Sequence, residues 1–225
     1  MAMTKNLTAW ANVTLALAGT ALVAWFGVRF GPNPPTLVSH ASGLLAIFLI
    51  ALTVYGWALF KEGYDLQRLG FAQMSWLTPI VALVLTAFFI LVFGPIAYWL
   101  LLKSGAQSFA AGIETTSHLP VGYLVLTIVI VASAEELLYR GYAIERLADL
   151  TGSYWVASIL AVLAFGLAHV PMWGWAPAAT TIISGSILTI VFLWRRDVAA
   201  LILAHIATDV YGIVVAPQLA RTIGG

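Results

Sequence analysis

Cysteine is absent from the 225 residues, and with it go disulfides, thiolate metal sites and a cysteine nucleophile. Charge is nearly as scarce. Aspartate, glutamate, lysine and arginine together make up 8% of the chain, against about a quarter in an ordinary soluble domain. A polypeptide this poor in charge cannot cover itself in water. The formal net charge is +1 and no basic block occurs, so nucleic acid is not an expected partner. Internal repeats and low-complexity tracts are also missing. No histidine is followed by glutamate, which removes the HExxH zinc motif. No GxGD surrounds an aspartate, and "ISGS" at Ser184 has no histidine placed to make it a serine-protease elbow.

What remains is hydrophobic: 62% of the residues. Crossing the hydrocarbon core as a helix takes about 20 apolar residues, and seven such stretches can be read at 7–29, 37–60, 75–102, 121–143, 153–170, 178–195 and 198–216. The expected fold is an all-α, polytopic transmembrane helix bundle of about seven spans, with room for an eighth helix, forming one integral membrane domain over 1–225. The first run is longer than a signal-peptide core and reads as a retained span. "FGPNPPT", "KEGYDLQRLG", "KSGAQSFAAGIETTSHLP", "ERLADLTGS", "VPMWGWAP" and "RRD" read as the connections. Gly94-Pro95 inside the third span predicts a kink, because proline deletes a helix hydrogen bond.

Basic residues set the orientation. Lys5, Lys61, Arg68, Arg140, Arg146, Arg195 and Arg196 fall on the N-terminal side, and Arg29, Lys103 and Arg221 on the other. The N-terminus is therefore expected in the cytoplasm, with "RRD" at 195–197 as a positive-inside anchor. Met172, Trp173 and Trp175 read as an interfacial belt, or as a lip that guides a substrate chain. His40 and His118 are assigned no role.

The polar residues inside the later spans are harder to explain as anchors. "VASAEELLYRGYAIERL" places Glu135, Glu136 and Arg140 at the end of the fourth span. Glu136 and Arg140 are four apart and can pair on one face. Glu135 points about a hundred degrees away and is free to meet something else. "AFGLAHVP" puts Phe165 four residues before His169, and "LILAHIATDVYG" puts His205 four residues before Asp209. Charged groups at membrane depth are costly and mark function by default. Each also has a plainer reading: a structural ion pair for Glu136 and Arg140, a solvated carboxylate for Glu135, an interhelical hydrogen bond for His169, and packing for Phe165.

In order, "EELLYR", "FGLAH" and "HIATD" fit EExxxR, FxxxH and HxxxN/D. On these motifs the chain resembles the CPBP family of intramembrane endopeptidases, named for CAAX proteases and bacteriocin-processing enzymes and once called Abi proteins. The resemblance covers a catalytic core over 121–212, with 1–120 as additional N-terminal spans. It implies hydrolysis of a peptide bond in a membrane-associated protein or peptide. Glu135 would be the base that activates water, and Glu136 and Arg140 its supporting pair. His169 and His205 would hold the water or polarise the scissile carbonyl, and Asp209 takes the asparagine-or-aspartate position.

Peptide hydrolysis does need a base beside a water and donors aimed at the developing oxyanion. Glu135, His169 and His205 also form a carboxylate–imidazole set of the type that holds zinc with one position open. A metal-free glutamate mechanism is favoured over a zinc-assisted one, and no cofactor is assigned firmly. The partners implied are membrane lipid and a membrane-associated substrate, in a bacterial or archaeal plasma membrane. Two other classes compete: a non-enzymatic immunity, scaffold or accessory subunit bound to a membrane-complex partner, and a small transporter or proton relay.

Overall fold

The computed structural model describes residues 2–32, 36–104 and 119–224. Residues 33–35 of the first connection lie outside the described residues, as does 105–118, most of the longest polar loop, with His118. The same holds for the side chains of Lys5 and Arg221.

Seven helices are long and apolar enough to span a membrane. They are α1 (Ala2–Phe30), α2 (Leu37–Phe60), α3 (Thr78–Lys103), α4 (Val121–Thr151), α5 (Tyr154–Trp173), α6 (Trp175–Arg195) and α7 (Val198–Leu219). The chain is a polytopic, all-α membrane protein, and no β-sheet forms among the described residues, where one isolated bridge joins Phe71 to Asp197. Lipid leaves little hydrophobic drive between helices, so close packing must come from small side chains. Ala9, Val13 and Ala16 of α1 and Ala51, Val54 and Ala58 of α2 are buried at three- and four-residue spacing.

One expectation needs correction. The fourth helix does not stop at residue 143; it continues through "ERLADL" to Thr151, where Gly152 takes a left-handed conformation at φ 72°. The extension is amphipathic, with Ile144, Leu147 and Ala148 buried, so it gains packing that a polar loop would forgo. "EELLYR" consequently sits in mid-helix rather than at an end, roughly 20 Å from either terminus at about 1.5 Å per residue. The "RRD" turn also makes contacts that an anchor alone would not require. Arg196 pairs with Glu145 at 2.5 Å and lies over the Tyr154 and Phe192 rings. Asp197 is 1% exposed; it accepts the Ala200 N–H at 3.1 Å and the Thr78 hydroxyl at 2.7 Å. One carboxylate therefore caps α7 and ties it to the start of α3. Asp197→Ala should cost about 1–3 kcal/mol, read as a lower melting temperature of the full chain in detergent, while Asp197→Asn should lose less.

The kink expected at Gly94-Pro95 takes the form of a widened turn. Residues Phe89–Phe93 are π-helical, and the Gly94 N–H reaches back to the Phe89 carbonyl. The extra residue takes up the hydrogen bond that Pro95 cannot make. Two more π-helical stretches occur, Glu136–Ala143 in α4 and Val210–Val215 in α7. Each begins at the residue directly after one of the acids singled out above, Glu135 and Asp209.

Candidate active site

Glu136 is wholly buried and one of its oxygens, Oε1, carries two partners. Arg140 Nη1 donates to it at 2.8 Å and His205 Nδ1 at 2.9 Å. The expected pair within α4 is present, and the same oxygen also binds α7. Arg140, 1% exposed, spends its other nitrogens on α6: Nη2 donates to the Gly185 carbonyl at 3.2 Å, and Nε lies 3.5 Å from the Thr189 hydroxyl. Its guanidinium lies 4.2 Å from the centre of the Phe165 ring. Gly185 is the residue that permits this approach. A Cβ there would come 3.0 Å from Arg140 Nη2 and 2.9 Å from the Phe165 ring.

Phe165 is packing, as expected, but it packs the site itself. Its ring meets Tyr139, His169 and His205 edge-on, at centroid distances of 5.1, 4.9 and 6.4 Å. His169 lies at the break in α5 before Pro171, and its Nδ1 is 2.8 Å from the Phe165 carbonyl. A carbonyl only accepts, so Nδ1 carries the proton and Nε2 is left for another partner. His205 is oriented by the same logic. Nδ1–H faces Glu136, which turns Nε2 to within 3.9 Å of Glu135 Oε2 and 3.6 Å of Asp209 Oδ2. Glu135 thus does face another polar group, as its helical position implied. At 3.9 Å it is not hydrogen-bonded to the histidine, and one water can touch both. Exposure differs along the row: the Glu135 and His205 side chains are nearly closed off, whereas Asp209 is 38% exposed.

Among the described residues no three His, Asp or Glu side chains gather into a ready-made metal-holding group. The Nδ1 atoms of His169 and His205 are both committed to protein acceptors, which leaves the Nε2 atom of each ring for water, substrate or an ion.

The residues that hold α4 in this geometry lie on α1 and α2, where the sequence showed no motif. Tyr139 donates to the Leu17 carbonyl at 3.1 Å and shares a hydrogen bond with Thr20 at 2.7 Å. The Tyr142 hydroxyl lies 2.7 Å from Asn12 Nδ2 and about 3 Å from both Glu62 oxygens. The Tyr55 hydroxyl donates to the Leu137 carbonyl at 3.1 Å, inside the π-helical turn. Tyr55 fills the place a side chain at 141 would take. A Cβ on Gly141 would collide with its hydroxyl and come 2.8 Å from the Leu69 carbonyl. Gly141→Ala should therefore destabilise the chain by at least about 1–3 kcal/mol, measured by thermal unfolding. Tyr55→Phe should not rescue it, because the Leu69 contact is backbone. Asn12 and Thr20, polar in an apolar span, were the signal that could have pointed to α1.

Met172, Trp173 and Trp175 fall at the end of α5 and the start of α6, around Gly174 at φ 85°. Met172 and Trp175 are exposed, as an interfacial belt requires.

Residues 117–211 match a family model described as type II CAAX prenyl endopeptidase Rce1-like. The matched segment contains Glu135, Glu136, Arg140, Phe165, His169, His205 and Asp209. No curated protein and no solved structure matches the chain.

Proposed function

We propose that this chain is an intramembrane endopeptidase, with Glu135 as general base. The observation that carries the reading is the convergence of Glu135, Glu136, His205 and Asp209 across α4 and α7, with Glu135 Oε2 and His205 Nε2 3.9 Å apart. The partial match to a CAAX-endopeptidase-like family model supports it. Glu135 has no tight structural partner, which suits a group that must take and return a proton.

A water between Glu135 and His205 attacks the scissile carbonyl carbon. A C–O bond forms, the carbonyl pair moves to oxygen, and the water's proton passes to Glu135. Imidazole N–H at His205 or His169 Nε2, when protonated, stabilises the oxyanion. Collapse breaks the C–N bond, and Glu135 returns the proton to the leaving amine. Glu136 and Arg140 act as positioning residues, because Glu136 fixes the His205 ring through Nδ1. No step runs through a metal. The substrate class is a membrane-associated protein or peptide, and the membrane a prokaryotic plasma membrane.

We place the N-terminus in the cytoplasm. Arg140 drops out of the positive-inside count because it is buried, but Lys61, Arg68, Arg146, Arg195 and Arg196 still gather at one end of the bundle, near Glu62, Glu145 and Asp149.

The test compares protein termini in membranes from cells carrying the wild type or Glu135→Gln at equal, folded levels. Cleaved termini that appear with wild type alone are expected. Identical termini would overturn the peptidase reading and leave a scaffold or immunity subunit in its place.

A further inference from the structure

At the end of the bundle where α2 finishes and α4 overruns the other helices, a pocket of about 170 Å³ is lined by Thr8, Trp57, Lys61, Glu62 and Arg146. It lies apart from the Glu135 cluster, and its walls come from α1, α2 and α4. Three observations describe its chemistry. Lys61, exposed at the C-cap of α2, has no carboxylate within 4.0 Å among the described residues. Arg146 is held only loosely: its buried Nε has Glu62 Oε2 as a neighbour at 3.6 Å, beyond hydrogen-bond length, and Nη1 lies 3.7 Å from Asp149 Oδ2. Glu62 is largely buried, 5% exposed at its side chain, with the Tyr142 hydroxyl at 3.0–3.1 Å.

A guanidinium N–H withdrawn from water with its acceptor beyond hydrogen-bond length is a cost the fold carries unless something closer arrives to meet it. Two cations beside one carboxylate, at the last turn of a membrane span and next to a half-exposed tryptophan, match a zwitterion in shape and sign. We propose that this pocket binds the headgroup of an aminophospholipid, with the phosphodiester between Lys61 and Arg146 and the ammonium at Glu62. The phosphate supplies the close acceptor that Glu62, 3.6 Å from Arg146 Nε, does not. In doing so it draws Arg146 from Glu62, and the ammonium restores the counter-charge. Burial already lifts the Glu62 carboxyl above its usual range, opposed by Arg146 and by the Tyr142 and Asn12 hydrogen bonds, so a further cation beside it is favourable. Trp57 covers the glycerol edge, as aromatic residues do at a membrane boundary.

The site reaches the rest of the molecule through Tyr142, which bonds Glu62 and Asn12 and ends the π-helical turn that starts at Glu136. Headgroup occupancy should therefore stiffen α4. The pocket stands whether or not the chain cleaves peptides.

Native mass spectrometry of the full chain in a phospholipid-free detergent tests this. Lipids with ethanolamine, glycerol or choline headgroups and identical acyl chains are added separately, and inorganic phosphate is used as competitor. The ethanolamine lipid should bind wild type best. Lys61→Ala should weaken it roughly tenfold, the equivalent of one charge-assisted hydrogen bond, while keeping the wild-type melting temperature in lipid-free detergent, because Lys61 is exposed. Glu62→Gln should erase the preference for ethanolamine over choline. Equal binding by wild type and Lys61→Ala would overturn the site. Equal binding of all three headgroups to wild type would overturn the ammonium assignment. Displacement by millimolar inorganic phosphate would make it a free-phosphate site instead.

Discussion

Arg140→Met is expected to lower the stability of the full chain by roughly 3–5 kcal/mol. The substitution keeps length and apolar volume but strips Glu136 of its cation while the carboxylate stays fully buried. A charge left behind in a water-poor interior is worse than no pair at all. Glu136 keeps only the His205 Nδ1–H on Oε1, and its Oε2 already lacks a hydrogen-bond partner, so compensation is partial. The Gly185 carbonyl and the Phe165 ring lose their partner in the same step. Adding Glu136→Gln to Arg140→Met should recover part of the loss, with a coupling of about 0.5–3 kcal/mol, because the neutral amide no longer needs a cation. Thermal or denaturant unfolding in lipid nanodiscs reads both values. Wild-type stability in Arg140→Met would mean that Arg140 does not hold α4 and α6 together.

The second large effect separates two adjacent glutamates that sequence alone treats as a unit. Glu135→Gln and Glu136→Gln should each lower peptidase turnover by about 10²–10⁴-fold, for different reasons. Glu135 has no hydrogen-bonded partner, and His205 Nε2 stands 3.9 Å from its Oε2, so its amide variant should melt within a degree or two of wild type, as follows from the small cost of changes that break no contact. Glu136 carries Arg140 and His205 on one oxygen, so its amide variant should lose about 1–3 kcal/mol as well. Turnover is measured on the substrate found by comparing membrane termini, and stability on the same preparations. Full activity in Glu135→Gln would remove it as the base. Equal stability in the two variants would deny Glu136 its positioning role.

The site was partly legible because helices impose fixed spacing. Residues four apart share a face, so the Glu136–Arg140 pair followed from the sequence, as did placing His205 and Asp209 together, which lie 3.6 Å apart at their nearest polar atoms. The link between Glu136 and His205 did not follow. It joins positions 69 residues apart on different helices, and no periodicity within one helix reports on the neighbour it will meet. The end of α4 was misread for a related reason: "ERLADL" is polar enough to resemble a loop, yet its apolar residues repeat at helical spacing against α5. Gly141 and Gly185 carry no signal in the sequence, because glycine in a span has many uses. Only Tyr55 in one case, and Arg140 with Phe165 in the other, give each its reason.

By itself the sequence determined the class of molecule: in lipid only helices or a closed barrel satisfy the backbone, and seven continuous apolar stretches in a chain with 8% charged residues select helices. It also determined which polar side chains must turn inward, because hydrocarbon tolerates no other arrangement for Glu, Arg, His and Asp. The tertiary structure alone decided what each of them touches. Tyr139, Tyr142 and Tyr55 lock the π-helical turn of α4 to α1 and α2, and that turn sets Glu135 toward α7 while Glu136 is shared between Arg140 and His205. Such contacts arise from the packing of distant segments under a shared steric and hydrogen-bonding constraint, and no local pattern encodes them.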